Sequence, residues 1–146
     1  MSLDNRRLNE LIIPIAVLPP VTGAQASVES GWVDMALHRQ VLAVFNGGVY
    51  GTTLDLKLQQ ATASDGTAKK DITGKAITQI VANDKVATIE CSNYELDADN
   101  SFTFAAMDIT VVGATGAAAA VLYTASKAKY QPGTTISVED VGQTIT

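Results

Sequence analysis

The sequence has very few of the residues on which catalytic and metal sites usually depend. One cysteine, one histidine and one tryptophan occur among its 146 residues. Because Cys91 is alone, the chain can form neither an internal disulfide nor a cysteine cluster around a metal, and we interpret it as a buried apolar residue. A hydrolytic nucleophile needs a base and an orienting carboxylate, and His38, in a chain without a GxSxG sequence, gives weak support for such a set. We therefore predict no enzymatic activity and no cofactor.

Phosphate- and metal-binding motifs are also missing. The pairs Gly47-Gly48 and Gly113/Gly116 fit neither GxxxxGK[ST] nor GxGxxG, so we interpret them as turn glycines. The segment Asp97-Ala98-Asp99-Asn100 has alternating oxygen side chains but lacks the glycine and the distal glutamate of a calcium loop. It is more typical of a turn with local side-chain hydrogen bonds. We predict no metal site.

Basic residues are scarce. Ten lysines and arginines stand against fifteen acids, which gives a net charge of −5. A nucleic-acid binder needs lysine and arginine to neutralise phosphates, so we predict no nucleic-acid partner. Five acids and no base lie between residues 90 and 108, which indicates either a solvated acidic face or a surface for a basic partner.

Long hydrophobic runs are missing as well. The apolar run from Leu11 to Leu18 is interrupted by Pro14 and is too short to cross a bilayer, so we expect no membrane partner. It also lacks the pattern of a signal peptide, and we expect synthesis in the cytoplasm. Hydrophobic residues nevertheless make up 47% of the chain, and much of this content is alanine and valine. Such a composition suits β-sheets and close contacts.

Residues 1–27 read as an N-terminal arm. Ser2 to Leu11 can form about two helical turns, and the prolines at positions 14, 19 and 20 make the following stretch extended but unsuited to the centre of a sheet. The arm lies across its own domain or reaches a neighbouring subunit. Its apolar residues are our candidate partner contacts: Leu8, Leu11, Ile12, Ile13, Ile15 and Val17.

Residues 28–146 read as a β-sandwich domain. The clearest strand is Thr53 to Ala61, in which Leu54, Leu56 and Leu58 share one face because side chains alternate with period two. Asn46-Gly47-Gly48 is typical of a tight reversal that ends the strand before it. The strands predicted in this way are Gly31–Leu37, Gln40–Phe45, Thr53–Ala61, Ala76–Val81, Val86–Cys91, Phe102–Val112, Ala117–Ala125 and Thr135–Val138.

Three segments of this domain carry patterns that predict more than a simple strand. Thr67 to Lys75 reads as a solvated loop whose Lys69 and Lys70 are further candidate contacts, for an anion or a partner. In Phe102 to Val112 the apolar residues change parity, which predicts a β-bulge near Ala105-Ala106. Ala117 to Ala125 is either a strand buried on both sides or a short helix, and its β-branched and aromatic residues favour the strand.

About eight short strands without a long amphipathic helix predict an all-β fold, a jelly-roll-like antiparallel β-sandwich with an extended N-terminal arm. Three segments together resemble a family of tailed-bacteriophage structural proteins that are usually encoded beside the major capsid protein. These segments are Leu54–Ile80 (LDLKLQQATASDGTAKKDITGKAITQI), Glu95–Gly113 (ELDADNSFTFAAMDITVVG) and Ala117–Pro132 (AAAAVLYTASKAKYQP). Where family members have an Arg-Tyr pair before the last proline, this chain has Lys129-Tyr130-Gln131-Pro132.

The resemblance implies a virion component on the capsid surface, a decoration or cement protein made in the host bacterial cytoplasm. Its partners would be the major capsid protein and further copies of itself, with a trimer favoured. Three alternatives remain open, one of which, an enzyme, would need turnover that is lost on changing His38, Cys91 or an acid of residues 95–99. A tail, neck or fibre protein would be present in far fewer copies per particle, and a carbohydrate-binding jelly roll would bind glycans as an isolated protein.

Overall fold

The protein is an antiparallel β-sandwich, which confirms the all-β prediction. The computed structural model describes residues 12–22, 27–50, 53–81, 84–112 and 116–125, and within them the helices are two 3₁₀ turns, Asn93–Glu95 and Ala98–Asn100. The strands are β1 (Ile12–Thr22), β2 (Ser27–Glu29), β3 (Val33–Asp34), β4 (Gln40–Tyr50), β5 (Thr53–Ala61), β6 (Lys70–Ile80), β7 (Val86–Ser92), β8 (Phe104–Val112) and β9 (Gly116–Ala125).

The strands form two sheets in which most neighbours are distant in sequence. Sheet A has the order β1-β9-β4-β7, and sheet B has the order β2-β8-β5-β6 with β3 also paired to β8. All of these pairs are antiparallel. Among the described strands, only β5 and β6 form a hairpin of consecutive strands. The chain therefore crosses between the sheets at most of its turns.

The core lies between the sheets and follows the alternation that the sequence predicts. Leu54, Leu56 and Leu58 of β5 are at most 1% exposed. From the facing sheet, β4 contributes side chains from alternate positions, and β1 adds Ala16 and Leu18. Fully burying such an aliphatic side chain contributes about 1.5–3 kcal/mol. The residues that share this core face are Val41, Ala43 and Phe45 in β4, Ile89 and Cys91 in β7, and Ala105, Met107 and Ile109 in β8.

The predicted reversal at Asn46-Gly47-Gly48 is wrong. Strand β4 continues through both glycines to Tyr50, and β5 then begins in the other sheet. Gly47 is held on both sides, since it pairs with Ala118 of β9 and its N–H donates to the Lys85 carbonyl. The register with β9 shifts after Gly47. The glycines therefore accommodate an irregularity within a strand.

The predicted bulge in β8 is also wrong. Its register with β5 is continuous from Thr53 opposite Val112 to Ala61 opposite Phe104. The apolar parity changes because both faces are buried in the middle of the strand: Met107 lies in the core, while Ala106 and Asp108 on the other face are 1% and 5% exposed.

Other predicted segments differ in their bounds or are confirmed. The solvated loop is shorter than predicted because β6 already begins at Lys70, and the predicted strand Gly31–Leu37 contains only the two strand residues of β3. The strand interpretation of Ala117–Ala125 is confirmed, and the helix alternative is wrong. The proposed N-terminal helical turns and the strand Thr135–Val138 lie outside the described residues.

Part of the proposed arm is an edge strand. Residues 12–22 form β1, which pairs with β9 and borders sheet A. Pro14, Pro19 and Pro20 lie in this strand, and an edge is where a sheet tolerates residues without a backbone N–H. Ala16 and Leu18 are buried in the domain's own core.

Candidate partner-binding surfaces

The outer side of sheet A carries apolar side chains. In β4, Val41, Ala43 and Phe45 are fully buried in the core, so Leu42 and Val44 between them lie on the opposite side, where both are half-buried. The register places residues of β1 level with them across β9, because Val17 and Val44 both pair with Val121, and Pro14 and Leu42 both pair with Tyr123. Val86 of β7, opposite Asn46, is 66% exposed. We call this set the apolar face: Pro14, Val17, Leu42, Val44 and Val86.

The outer side of sheet B is polar instead. Lys57 Nζ lies 2.9 Å from Asp71 Oδ1 and 3.8 Å from Asp108 Oδ2, and Ser27 Oγ also donates to Asp108. Gln59 Nε2 donates to Asp71 Oδ1 at 2.8 Å. The bonds from Gln59 and Lys57 lower the pKa of Asp71, and the bond from Lys57 to Asp71 raises the pKa of Lys57. The charges of this side are thus paired within the chain.

The two lysines predicted as contacts are engaged by acids of the same chain. Lys69 pairs with Glu29, and Lys70 pairs with Asp97. The Lys70 ammonium also lies 4.0 Å from the centre of the Phe102 ring, within the range of a cation–π interaction. An external anion at either lysine would compete with these contacts.

The six apolar contact candidates of residues 1–27 are placed differently from one another. Leu8 and Leu11 lie outside the described residues, and Ile12 is the first residue of β1. Ile13 is half-buried, whereas Ile15 packs against the core of its own domain. Val17 belongs to the apolar face. Val17 is thus the candidate that the structure places on the same outer side of sheet A as Leu42 and Val44 of β4.

Leu42 and Val44 are functional candidates that the sequence analysis missed. The run Val41–Phe45 is VLAVF, without an alternating polar residue. A run of this kind indicates a strand with apolar residues on both faces. That signal was available, but it does not say whether the second face packs inside the same chain.

The side chains with possible chemistry are buried or bonded within the chain. Burial raises the pKa of Cys91 to about 12. Burial also lowers the pKa of His38, against the opposing charge of Asp34. Asp97 Oδ1 and Oδ2 accept from Asn100 Nδ2 at 2.9 and 3.0 Å, which confirms a turn at this segment. Among the described residues, no group of three or more His, Cys, Asp or Glu side chains could hold a metal ion.

Comparison of the sequence with protein-family models and with curated proteins gives no match in either case. In the part of the chain that the structure describes, no helix has the length and apolar character needed to cross a bilayer. The fold and the contrast between the outer sides of its two sheets are therefore the observations that bear on function.

Proposed function

We propose that the protein is a bacteriophage capsid decoration protein that binds the major capsid lattice and stabilises the head. The observation that carries this proposal is the apolar face on the outer side of sheet A, opposite a polar side whose charges are paired within the chain. Soluble monomers rarely expose large apolar patches unless these patches bind something. The resemblance of three segments to phage structural proteins supports the same interpretation.

The outer side of sheet A, which includes the apolar face, is large enough for a stable interface. Four strands about 4.8 Å apart, with the 11 residues of β4 at about 3.4 Å each, give an area of about 700 Å². A standard interface buries roughly 800 Å² on each partner. The apolar residues form the centre of such a contact, and Thr88 and Glu90 of β7 belong to its polar rim, as the exposure of both side chains allows.

The strand order supports the proposed jelly-roll path. If β2 and β3 count as two halves of one strand, eight strands form two four-stranded sheets, with the first strand beside the last in sheet A. That order is the one expected of a double Greek key rolled into a sandwich, an architecture found in many viral capsid proteins, and so it supports the proposal. A jelly roll leaves the outer side of each sheet available for packing on a lattice.

The proposal is tested by binding to capsids that lack the protein. We expect Val44→Glu to fold but to lose at least about tenfold in affinity, because the partner would have to bury an unpaired charge. The matched control is Thr73→Glu, which places the same charge at an exposed position of β6 in sheet B. Cosedimentation measures both variants.

Wild-type binding by Val44→Glu would contradict the use of the apolar face. The number of copies per particle separates decoration from the alternatives, since a decoration protein is present in hundreds of copies and a neck or tail ring in far fewer. A low copy number would therefore replace the proposed role by one in the tail, neck or fibre.

A further inference from the structure

Strand β7 is an edge of sheet A whose hydrogen-bonding pattern can be deduced. At one end the Gly47 N–H donates to the Lys85 carbonyl, and at the other the Asn93 N–H donates to the Arg39 carbonyl. Both pairs continue, at its two ends, the unbroken register between β4 and β7, which runs from Gln40 opposite Ser92 to Asn46 opposite Val86. Because backbone groups of an antiparallel strand point alternately to its two sides, the odd-numbered residues of β7 bond to β4.

The even-numbered residues therefore direct their backbone groups away from β4. These residues are Val86, Thr88, Glu90 and Ser92, and the Ser92 N–H is already bonded to Glu95 Oε2 at 2.7 Å. The other three present N–H and C=O groups at an edge where β7 pairs with no further described strand. Their side chains are exposed as well. Three consecutive pairing positions are thus open.

The two edge strands of sheet A differ in how well they are protected against pairing with a further strand. Strand β1 contains three prolines, which lack the N–H that a further strand would need. Strand β7 has the sequence VATIECS, without proline or glycine and with a single charge. Natural edges that must stay unpaired are usually blocked by proline or by several charges. Among the described strands, β7 is therefore the edge of sheet A that offers fewer obstacles to a further strand.

We infer that β7 pairs antiparallel with β7 of a second copy of this chain, about a two-fold axis at Thr88. In this register Thr88 faces Thr88 of the other copy, and Val86 faces Glu90. All three open residues then form hydrogen bonds, and no two charges of the same sign meet. Centring the axis on Glu90 would oppose two carboxylates, and centring it on Ala87 would oppose Asp84 and Glu90.

A second copy fits this edge because the pairing continues sheet A with the same side outward. The axis is perpendicular to the sheet, so the outer sides of the two copies form one eight-stranded surface of about 1,400 Å², with the polar side chains of Thr88 and Glu90 along its centre. The inference depends on the β7 edge alone and does not require the proposed capsid role. A dimer could form whether or not the surface binds a lattice.

Sedimentation of the full-length chain tests the pairing. We expect a monomer–dimer equilibrium, and we expect Thr88→Pro to lower the dimerisation affinity at least about tenfold. The Thr88 N–H of each copy points to the open edge, so the dimer loses two hydrogen bonds in this variant. The ladder with β4 does not use that N–H, so the variant keeps its own fold. Thr88→Ala is the matched control, since it removes the side chain and retains the N–H.

Cross-linking tests the register independently of the proline variant. Opposed residues 88 have α-carbons about 5.5 Å apart in a hydrogen-bonded pair, which suits a disulfide. We expect Thr88→Cys to form a disulfide-linked dimer on oxidation. Glu90→Cys is the control, because its counterpart would be displaced by four residues, or about 13 Å.

Several outcomes would overturn the inference. They are a chain that stays monomeric, a stable trimer in solution, unchanged dimerisation of Thr88→Pro, or cross-linking of Glu90→Cys as fast as that of Thr88→Cys. A different protein found paired at β7, with the isolated chain monomeric, would equally reject a second copy as the occupant. Failure of capsid binding with an intact dimer would reject only the proposed function.

Discussion

Gly66 packs against the indole ring of Trp32. A β-carbon at position 66 would lie 2.9 Å from Trp32 Nε1, and Gly66 has a φ of 81°, a conformation that L side chains rarely adopt. Gly66 lies in the loop between β5 and β6, whereas Trp32 directly precedes β3. The contact therefore fixes this hairpin loop against sheet B, and it gives the single tryptophan an anchor within its own chain.

The Gly66 contact predicts a difference between two glycine variants. Gly74 has a similar φ of 76° but nothing within 4 Å of an added β-carbon. Gly74→Ala should lower the free energy of unfolding by about 1 kcal/mol through backbone strain alone. Gly66→Ala should lower it by about 2–3 kcal/mol, because the ring must also move. Urea denaturation measures both, and equal losses would contradict the role of Trp32.

Glu95 connects the two sheets at the end of β7. Its Oε1 lies 2.8 Å from Lys75 Nζ of β6, and its Oε2 accepts from the Ser92 N–H. Glu95→Gln retains a partner for Ser92 and should cost about 0.5 kcal/mol, whereas Glu95→Ala loses both contacts and should cost about 1–2 kcal/mol. Chemical denaturation at neutral pH measures the two costs, and a Gln variant as unstable as the Ala variant would assign the whole effect to charge.

Glu95 also predicts that the free energy of unfolding depends on pH in the acidic range. The bond from Lys75, followed by that from Ser92, holds the pKa of Glu95 below its usual value of 4.5. The unfolded chain then binds the proton more readily, so the stabilisation is complete above pH 4.5 and is lost as the pH falls through the folded-state pKa. The difference in unfolding free energy between wild type and Glu95→Gln should shrink over that range. A constant difference would show that ionisation of Glu95 contributes nothing.

His38 predicts a second pH dependence, nearer neutrality. The side chain is 3% exposed, its Nδ1 has no hydrogen-bond partner within the described residues, and burial lowers its pKa below 6.5. Because the unfolded chain gains the proton first, stability should fall as the pH drops from 6.5 through the folded-state pKa. In His38→Gln this decrease in stability between pH 6.5 and the folded-state pKa of His38 should be absent. Thermal unfolding between pH 5 and 7.5, a range chosen to span the histidine titration, compares the two proteins.

Cys91 should be inert in the folded protein. Its thiol is fully buried and its pKa is about 12, so almost no thiolate forms at pH 8. We expect no reaction with a thiol reagent until the chain is unfolded in denaturant. Thr88→Cys supplies an exposed thiol on the same strand as a control that reacts immediately. Rapid reaction of Cys91 in the native wild type would mean that β7 opens readily.

The predictions from sequence succeeded where a segment depends on its own pattern. The leucines of β5 are buried as their spacing requires, because period-two alternation against one apolar face fixes which side chains point inward. The strand Ala117–Ala125 follows from its β-branched and aromatic residues. The predictions failed where distant strands decide the local conformation. Gly47-Gly48 looked like a reversal, yet the strand continues to Tyr50 because Gly47 pairs with β9 and its N–H donates to the Lys85 carbonyl.

The sequence by itself determined that this chain is an all-β protein and that the leucines of β5 face its core. Only the tertiary structure decided which strands are neighbours, because pairings such as β1 with β9 join residues about a hundred positions apart and leave no local pattern. It also decided that Val17, Leu42 and Val44 share one outer side, since their common neighbour in the register is β9. The open edge at β7 follows from the same pairings, and both candidate interfaces depend on them.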